Sequence, residues 1–471
     1  MKLLLTGANG YIGKRLLPIL IEMGHEVVCC VRDINRYSPP ESLIEKINII
    51  QIDLLNEESL KFIPKDIDVA FYLVHSMSES KRYQKLELIC AKNFRNKIEK
   101  TNVKQVIYLG GIVNETFLSK HLISRKNVEL ELEKGNYPLT SLRAGIIVGS
   151  GSASFEIMRD LVEKLPFMIT PKWLLTKCQP IAIADVISFL SKSILNSKTY
   201  NKNFDIGGPD ILSYKEMLLE FANQRNLRRS IKIVPVMTPR LSSYWLYFVT
   251  STSYKLAVAL VNSMKVDVVC RNNELQEILN HNPITYRIAL KNAFSKIQNN
   301  EIISSWKDAY ASSGMCINIS DFIKVPSFGC FKDRREHSFE NREECINKIW
   351  SIGGKKGWYY GNWLWRLRGI LDKLFGGVGL LRGRTNSDTL NVGDALDFWR
   401  VLYADKKEGR LLLFAEMKLP GEAWLEFKIE SGNLVQTATF RPLGILGRIY
   451  WISVLPFHGF IFKGMLRKLI S

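Results

Sequence analysis

Short apolar runs separated by longer mixed segments dominate the first 150 residues. The runs are KLLLTG, EVVCCVR, INIIQIDL, DVAFYLVHS, KQVIYLGGI and LTSLRAGIIVG. Each is rich in Val, Ile and Leu, and most are followed by a stretch of helical length. Continuous apolar strands that alternate with helices are typical of a parallel sheet covered on both faces. We therefore predict a doubly wound α/β fold of the Rossmann type for this part of the chain.

The pattern between residues 150 and 300 predicts late strands and a small helical lobe. QPIAIADVISFLSKSIL and NFDIGGPDILSYKEMLLEFANQ each combine a short apolar run with a helical period. PITYRIALKNAFSKIQ, at 283–298, is typical of an amphipathic helix that closes the region. We predict one domain over 1–300, in which the lobe occupies about 210–300.

The pattern changes after residue 300, which predicts a linker over 301–314 and a second domain over 315–471. DALDFWRVLYAD, RLLLFAEMKLP, AWLEFKIES and LVQTATFRPL follow one another at hairpin spacing. An apolar helix is predicted from about 456 to 470. Several antiparallel strands followed by a long helix indicate an α+β domain in which a curved sheet grips a helix.

Composition and charge limit the kinds of molecule that this chain is expected to bind. The formal net charge is +19, but Lys and Arg are scattered and form no long block, which argues against nucleic acid and leaves a phosphorylated cofactor or acidic lipid. The eight cysteines include no CxxC pair, so we expect reduced thiols, no metal site and a cytoplasmic protein. The apolar stretch 244–261 is interrupted by Lys255, which favours a buried or interfacial helix over a membrane span. Association with the inner face of a membrane stays open.

A glycine-rich loop follows the first apolar run. TGANGYIG places three glycines between a buried strand and an amphipathic helix. Glycines at this spacing let the backbone approach a pyrophosphate, which then lies at the N-terminus of the helix. We predict a nicotinamide nucleotide here. The cofactor-binding candidates in the loop are Gly7, Asn9, Gly10, Tyr11, Ile12 and Gly13.

The residue after the second strand predicts which nucleotide is bound. An NAD-binding protein generally offers an acid there to the ribose hydroxyls, whereas this chain has Arg32. Hydrogen bonds from Arg32 to a 2′-phosphate are worth about 1.5–3 kcal/mol, a preference of about tenfold to a hundredfold for NADP(H). Arg36 is a second candidate for this phosphate, and the adjacent Asp33 weakens the preference. For both arginines the alternative is a solvated loop charge.

Several motifs resemble those of the extended or atypical short-chain dehydrogenase/reductases. They are the glycine loop, IDL at 52–54, YLGG at 108–111, PIAIADV at 180–186 and FDIGGPDILSYKEM at 204–217. The resemblance covers about 1–300 and implies that Asp53 lies near the adenine and that FYLVHSM lies beside the nicotinamide ribose. The further cofactor contacts expected at these motifs are Leu54, Val74 and Gly110.

The remaining motifs resemble a bacterial group in which an atypical reductase domain of NmrA-like type is fused to a C-terminal domain of unknown function. They include HLISRKNVE, GSGSASFE, GWYYGNWLW, AEMKLPGEAWLEF and YWISVLPFHGFIFKGM. The C-terminal part, about 315–471, resembles the helix-grip superfamily of START and polyketide cyclase domains. This resemblance implies a cavity for an apolar ligand between the sheet and the long helix.

The chain lacks the YxxxK pair with which short-chain dehydrogenases protonate a carbonyl and hold the ribose. His121 and Arg125 stand at the expected place, and their spacing of four keeps both on one face of a helix. His121 has the chemistry of a proton donor, and Arg125 that of a ribose or phosphate ligand. The alternative is a pair that only caps or decorates a helix. His75 and Ser76, at the strand edge where ligands bind in open α/β sheets, are second candidates, with a satisfied buried histidine as the alternative for His75.

These residues support three functions of different class. The first is an NADP-dependent oxidoreductase that acts on a bulky apolar carbonyl or enone compound held partly by the C-terminal domain. The second is a non-catalytic NADPH-binding redox sensor or assembly factor, because the usual proton donor is missing. The third is a lipid-binding peripheral membrane protein. The expected partners are thus a nicotinamide nucleotide, an apolar small molecule and, in the third case, a membrane surface.

Overall fold

The computed structural model forms two compact units, Met1–Trp306 and Lys307–Ser471. Several parts of the chain that the sequence analysis discussed lie outside the residues that the structure describes. They are the predicted linker, Arg36, Ser76 and almost all of 244–261. The described residues are 1–34, 37, 39, 41–75, 83–114, 119–234, 246, 258, 261–298, 325–326, 329–354, 356–380, 384, 389–430 and 432–471.

The first unit is built on a seven-stranded parallel sheet. Its strands, in chain order and including those of three small two-stranded sheets, are β1 Lys2–Thr6, β2 Glu26–Val31, β3 Ile47–Gln51, β4 Val69–Tyr72, β5 Gln105–Gly111, β6 Leu139–Ala144, β7 Ile147–Val148, β8 Phe167–Pro171, β9 Lys177–Cys178, β10 Ile181–Ala182, β11 Lys202–Ile206, β12 Leu212–Ser213 and β13 Ser230–Val234. The order in the main sheet is β11-β6-β5-β4-β1-β2-β3. Strands are added toward one edge from β1 to β3 and toward the other edge from β4 onward, so the strand order reverses between β1 and β4. This doubly wound order is that of a Rossmann fold, as predicted from the six apolar runs.

Helices cover both faces of this sheet. The helices of the unit are α1 Gly13–Glu22, α2 Glu41–Ile44, α3 Tyr83–Ile98, α4 Lys120–Leu132, α5 Ala153–Lys164, α6 Ile183–Lys192, α7 Tyr214–Gln224, α8 Glu274–Ile278 and α9 Tyr286–Gln298. α1 and α6 bury leucines and Phe189 against one face, whereas α3 and α4 bury Phe94 and Leu132 against the other. A separate apolar cluster joins α5, α7 and α9, which is the core of the predicted lobe.

The second unit is a six-stranded antiparallel sheet in the order β14-β19-β18-β17-β16-β15. Its elements are β14 Phe331–Ser338, α10 Arg342–Ile349, α11 Asn362–Leu374, β15 Ala395–Leu396, β16 Trp399–Asp405, β17 Arg410–Ala415, β18 Gly421–Glu430, β19 Asn433–Pro442 and α12 Gly444–Ile470. The long helix α12 packs against the strands β14 and β19. The predicted α+β arrangement of a sheet with a long helix is thereby confirmed.

Two elements of this unit differ from the sequence prediction. The helix α12 begins at Gly444 rather than near 456, and it carries Pro456 in its interior. The strand β14, FKDRREHS, precedes the four segments from which the sequence predicted the strands of this domain. It pairs with β19 at the edge of the sheet, where charged side chains that point to water are tolerated and where the apolar alternation of an inner strand is not needed.

The charged residues buried in the second unit pair with one another. Arg400 is 1% exposed, and its Nε and Nη2 donate to the two carboxylate oxygens of Glu416 at 2.8 and 3.2 Å. Nη1 of Arg400 donates to the carbonyl of Gly393 at 2.8 Å. Asp397 accepts a hydrogen bond from Nε1 of the buried Trp358 at 2.8 Å. These charges therefore serve the structure, since a buried ion pair persists only when its hydrogen bonds are satisfied.

Removal of one partner tests this assignment. We expect Glu416→Ala to lower the free energy of unfolding of the second unit by about 3–5 kcal/mol, because it leaves the Arg400 guanidinium buried without a counter-charge. Urea unfolding followed by tryptophan fluorescence measures the change. The control is Glu422→Ala on β18, whose ion pair with Arg441 at 3.5 Å is largely exposed; its loss should cost under about 1 kcal/mol. Equal losses in the two variants contradict the assignment.

Candidate functional site

The glycine loop joins the end of β1 to the first turn of α1. Gly7 has φ +70°, a conformation that favours glycine. The amide of Gly10 donates to the carbonyl of Gly7 at 2.8 Å, which closes a tight turn. The amide of Lys14 then donates to the carbonyl of Gly10 at 3.1 Å, so the loop passes directly into the helix.

Close backbone approaches explain two of the three glycines. A Cβ atom on Gly13 would lie 2.4 Å from the carbonyl oxygen of Gly7, and one on Gly7 would lie 2.9 Å from the carbonyl oxygen of Leu73. Neither backbone oxygen can move aside without displacing the end of a buried strand. The loop therefore forms a narrow cradle of bare backbone between β1, β4 and α1.

The electrostatics of the cradle suit an anion. No described side chain caps the N-terminus of α1, and its first turn contains no acidic residue, so the positive end of the helix dipole faces the loop. Arg15, on the first turn, donates to the carbonyls of Tyr11 and Ser150 at 3.1 and 2.9 Å. The ring of Tyr11 lies 3.9 Å from this guanidinium, and burial raises the pKa of its hydroxyl to about 12. The hydroxyl of Tyr11 is thus protonated at physiological pH.

The predicted adenine end lies at the ends of β2 and β3. Arg32 is exposed immediately after β2, and Asp53 is half-buried after β3. Both act on the thiol of Cys90: burial raises its pKa to about 12, the Asp53 carboxylate adds to the rise, and the Arg32 guanidinium opposes it. The carboxylate of Asp53 accepts from the amide of Leu55 at 3.0 Å. The carbonyl of the buried Leu54 accepts from Nδ2 of Asn93 at 2.9 Å, which fixes this loop to α3.

Val74 and His75 follow β4, beside the cradle. The hydroxyl of Thr6 donates to the carbonyl of Phe71 at 2.8 Å and accepts from the amide of Leu73 at 3.2 Å, which holds the ends of β1 and β4 together. Nε2 of His75 lies 2.7 Å from the carbonyl of Leu109, so Nε2 carries the proton. Nδ1 is then an acceptor, and this buried atom has no hydrogen-bond partner among the described residues.

His121 and Arg125 lie one turn apart on α4, and both act on His75. Burial and the Arg125 guanidinium hold the pKa of His75 well below its usual range, with a smaller contribution from His121. Burial, aided by Arg125, lowers the pKa of His121 to about 3. Both imidazoles are therefore neutral at physiological pH. The structure brings together all three residues that the sequence offered as catalytic candidates.

Arg125 is the only cation in this cluster of three. Arg125 is half-buried, and its Nε is a buried atom with no hydrogen-bond partner in the described part of the chain. Its backbone carbonyl accepts from the hydroxyl of Tyr108 at 3.1 Å. A buried donor without an acceptor is costly, which is typical of a site that awaits an anionic or strongly polar ligand.

Tyr108 is a site residue that the sequence reasoning did not single out. Its ring meets that of His75 edge-on at 5.8 Å, and its hydroxyl fixes α4 through Arg125. A Cβ atom on Gly110 would lie 2.8 Å from the Tyr108 ring. Gly110 therefore leaves room for this tyrosine. The motif YLGG contains both residues, but the dependence of one on the other becomes visible only when the ring is placed.

The second unit contains an apolar cavity of about 250 Å³ between α11, α12 and the sheet. Among the residues that line it are Leu364, Leu419, Trp424, Tyr450 and Phe462. Trp365, Trp399 and His458 also line it, and each has one buried ring nitrogen without a hydrogen-bond partner in the described residues. Burial lowers the pKa of His458 to about 4. The cavity thus combines apolar walls with a few unsatisfied polar atoms, as ligand pockets do.

Comparison with known proteins finds a family model that matches part of each unit. Residues 7–132 match a family model described as NAD(P)H-binding. Residues 330–465 match a model described as Protein of unknown function (DUF2867). The curated divinyl chlorophyllide a 8-vinyl-reductase, chloroplastic, of Arabidopsis thaliana is 22% identical over 227 residues, which are 44% of this chain and 54% of that protein. The chain thus spans about half the length of this relative.

Solved structures agree on the fold of the first unit. A nucleoside-diphosphate-sugar epimerase from Staphylococcus aureus is 16% identical, with a TM-score of 0.50 over 62% of this chain and 100% of that one. An NADPH-dependent quinone oxidoreductase from Escherichia coli, solved with NADPH, is also 16% identical, with a TM-score of 0.50 over 62% of this chain and 99% of that one. Identities this low establish the fold and leave the reaction open.

The cradle is tested by adding a methyl group to it. We expect Gly13→Ala to weaken binding of NADPH by at least about tenfold, because the new Cβ forces the Gly7 carbonyl away from its position. Titration of NADPH fluorescence measures the affinity. The control is Gly24→Ala at the other end of α1, where nothing lies within 4 Å of the added atom; Gly24, unlike Gly13, has a positive φ (+79°), so the control also measures any effect of backbone strain alone. An unchanged affinity in Gly13→Ala contradicts the assignment of the cradle.

The backbone cradle, the uncapped helix and the sheet order fit a nicotinamide nucleotide, and the family match covers the same residues. The antiparallel unit matches a different family. The chain therefore joins a Rossmann-fold unit, in which residues 7–132 match an NAD(P)H-binding family model, to an antiparallel unit in which residues 330–465 match the DUF2867 model.

Proposed function

We propose that the protein is an NADPH-dependent oxidoreductase that reduces a bulky apolar carbonyl or enone compound. The observation that carries the proposal is the Arg125 guanidinium, whose buried Nε has no acceptor among the described residues and whose neighbours are two neutral imidazoles. It lies on α4 beside the ends of β4 and β5, the edge at which open α/β sheets bind ligands. The name of the Arabidopsis relative, a vinyl reductase, supports a reductive reaction on a conjugated compound.

Arg125 supplies electrostatic stabilisation. The chemistry that a nicotinamide nucleotide would supply, when bound in the cradle, is a hydride at this edge. When a carbonyl or enone accepts that hydride, negative charge develops on its oxygen, and a fixed guanidinium stabilises this charge without reorganisation. The tyrosine hydroxyl that binds the Arg125 carbonyl keeps the helix, and with it the charge, in position.

In this proposal His75 and His121 bind and orient the ligands of the site. Nδ1 of His75 accepts a hydrogen bond, for which a ribose hydroxyl is a fitting donor beside the loop after β4. His121 is neutral above its pKa of about 3, so it offers a neutral N–H and a lone pair rather than an imidazolium proton. The proton that completes the reduction then comes from water. A proton donated by His121 itself stays a prediction from the missing tyrosine.

The cavity of the second unit is the proposed place for an apolar ligand. Its walls are apolar, and Nε1 of Trp365 and of Trp399 are donors without acceptors in the described residues. A ligand with an apolar body and one or two oxygen atoms satisfies both features. This use agrees with the predicted resemblance to START-type domains.

The test of the reaction is the oxidation of NADPH in the presence of apolar enones and quinones. We expect Arg125→Met, a change of similar length without charge, to lower kcat by about 10²–10³ while the affinity for NADPH changes little. Arg125→Lys should recover part of the rate. Lys126→Met, the exposed neighbour on the same helix, is the control and should be without effect. Turnover is followed by the loss of NADPH absorbance.

The same assay gives a pH profile. Because His75 and His121 both titrate well below neutrality, kcat should be level between about pH 5 and pH 8 and should show no inflection near the ordinary histidine pKa of about 6.5. Such an inflection would contradict the orienting role and favour an imidazolium acid. Tight binding of NADPH with no turnover on any compound favours the sensor instead.

The preference for NADP(H) rests on Arg32, and a reversal of charge tests it. We expect Arg32→Asp to weaken NADPH binding by about tenfold to a hundredfold and to leave NADH binding within about threefold, because only NADPH carries the 2′-phosphate. Isothermal titration with both nucleotides measures the ratio. Lys14→Asp, at the other end of the nucleotide site, is the comparison that lowers both affinities alike.

A further inference from the structure

One face of α12 is apolar and exposed over most of its length. Ile445, Ile449, Ile452 and Phe460 follow one another at helical spacing and are between 54% and 76% exposed. The opposite face is held in the core, where Trp451 stacks between Phe331 and Phe440 and the last turns bury Met465 and Leu469. Within the stripe, the ring of Phe460 contacts that of Tyr360 at 5.1 Å, and Ile445, Ile449 and Ile452 are the most exposed members.

The neighbouring helix α11 carries a second stripe of the same kind. Its members are Trp363, Leu367, Ile370, Leu371, Leu374 and, just past the end of the helix, Phe375. Phe375 is 77% exposed. The two helices lie together: Trp365 of α11 contacts Phe462 of α12, and both line the cavity. Their stripes form the surface that we call the apolar ridge, defined as the exposed apolar side chains of 363–375 and 443–460.

The exposed charges of the two helices are all positive. They are Arg366, Arg448, Lys463, Arg467 and Lys468. The sequence of α12 contains neither Asp nor Glu. The one acid of α11, Asp372, is fully buried and accepts hydrogen bonds from the amides of Gly379 and Lys418 at 2.8 and 2.6 Å. An apolar surface bordered by cations alone is complementary to acidic headgroups above acyl chains.

The geometry favours a helix that lies in the membrane surface over one that crosses it. By length and composition α12 is able to span a bilayer, and it is the one such helix in the described residues. Its buried face, however, is already committed to the sheet. Lys463 and Arg467 continue the line of Ile445, Ile449 and Phe460 along the exposed face, so the stripe ends in charges that reach toward headgroups.

We propose that the second unit docks on an anionic lipid bilayer through the apolar ridge. Leu367, Leu371 and Phe457 belong to the ridge and also line the cavity, so the docked unit has its cavity walls in contact with the acyl region. An apolar ligand then enters from the bilayer rather than from water. This inference does not depend on the nucleotide site.

Flotation of the full-length protein with vesicles tests the docking. We expect binding at low salt to phosphatidylcholine vesicles that contain phosphatidylglycerol, and weak binding to phosphatidylcholine alone. Ile449→Ser/Ile452→Ser should lower the partition coefficient by at least about tenfold, because two half-inserted apolar side chains are lost. Lys463→Gln/Arg467→Gln should reduce binding to the anionic vesicles and flatten its dependence on salt.

The control variant removes exposed apolar side chains from the first unit. Phe62→Ser/Ile211→Ser changes two residues that are 69% and 52% exposed, and it should bind vesicles like the parent chain. Urea unfolding followed by tryptophan fluorescence confirms that each variant is folded, and neither measurement depends on the nucleotide site or on the proposed reaction. Absence of flotation from anionic vesicles at low salt overturns the proposal. A dimer in gel filtration that becomes monomeric in Ile449→Ser/Ile452→Ser, without vesicle binding, assigns the ridge to a second copy of this chain.

Discussion

The contact between the first turn of α1 and the end of β1 is the constraint on which the nucleotide site depends. Gly13 comes so close to the Gly7 carbonyl that no side chain fits between them. This approach aims the N-terminus of the helix at the edge of the sheet where β1 and β4 diverge. The hydroxyl of Thr6 ties the same two strand ends, so the cradle is fixed from both sides before any ligand is bound.

The elements of this fold whose apolar residues recur in a regular pattern could be predicted from the sequence. Six apolar runs gave the parallel sheet, because a strand buried on both faces is recognisable by its side chains alone. The edge strand β14 could not be recognised in this way: its charged alternation satisfies hydrogen bonds with β19 but presents no apolar face. Likewise the glycine loop could be recognised from the spacing of its glycines. The dependence of Tyr108 on Gly110 could not, because it follows from the orientation of the Tyr108 ring.

The two units differ in whether the buried nitrogen atoms of an arginine have hydrogen-bond acceptors. Arg400 has its carboxylate and its carbonyl, so its charge is neutralised and stabilises one packing of the sheet. Arg125 has a buried nitrogen without an acceptor in the described residues, and it adds to the fall that burial causes in the pKa of both neighbouring histidines. Sequence could place Arg125 four residues after His121. It could not tell whether an acid elsewhere in the chain would neutralise it, since that depends on long-range contacts.

The edges of the second sheet limit how this chain can associate. At one end β14 presents Lys332, Arg334 and Glu336 outward, and at the other end β15 is only two residues long. Charged side chains on an edge strand and a very short edge strand are both features that disfavour the addition of another strand. Growth of this sheet into a continuous aggregate is thereby disfavoured at both ends.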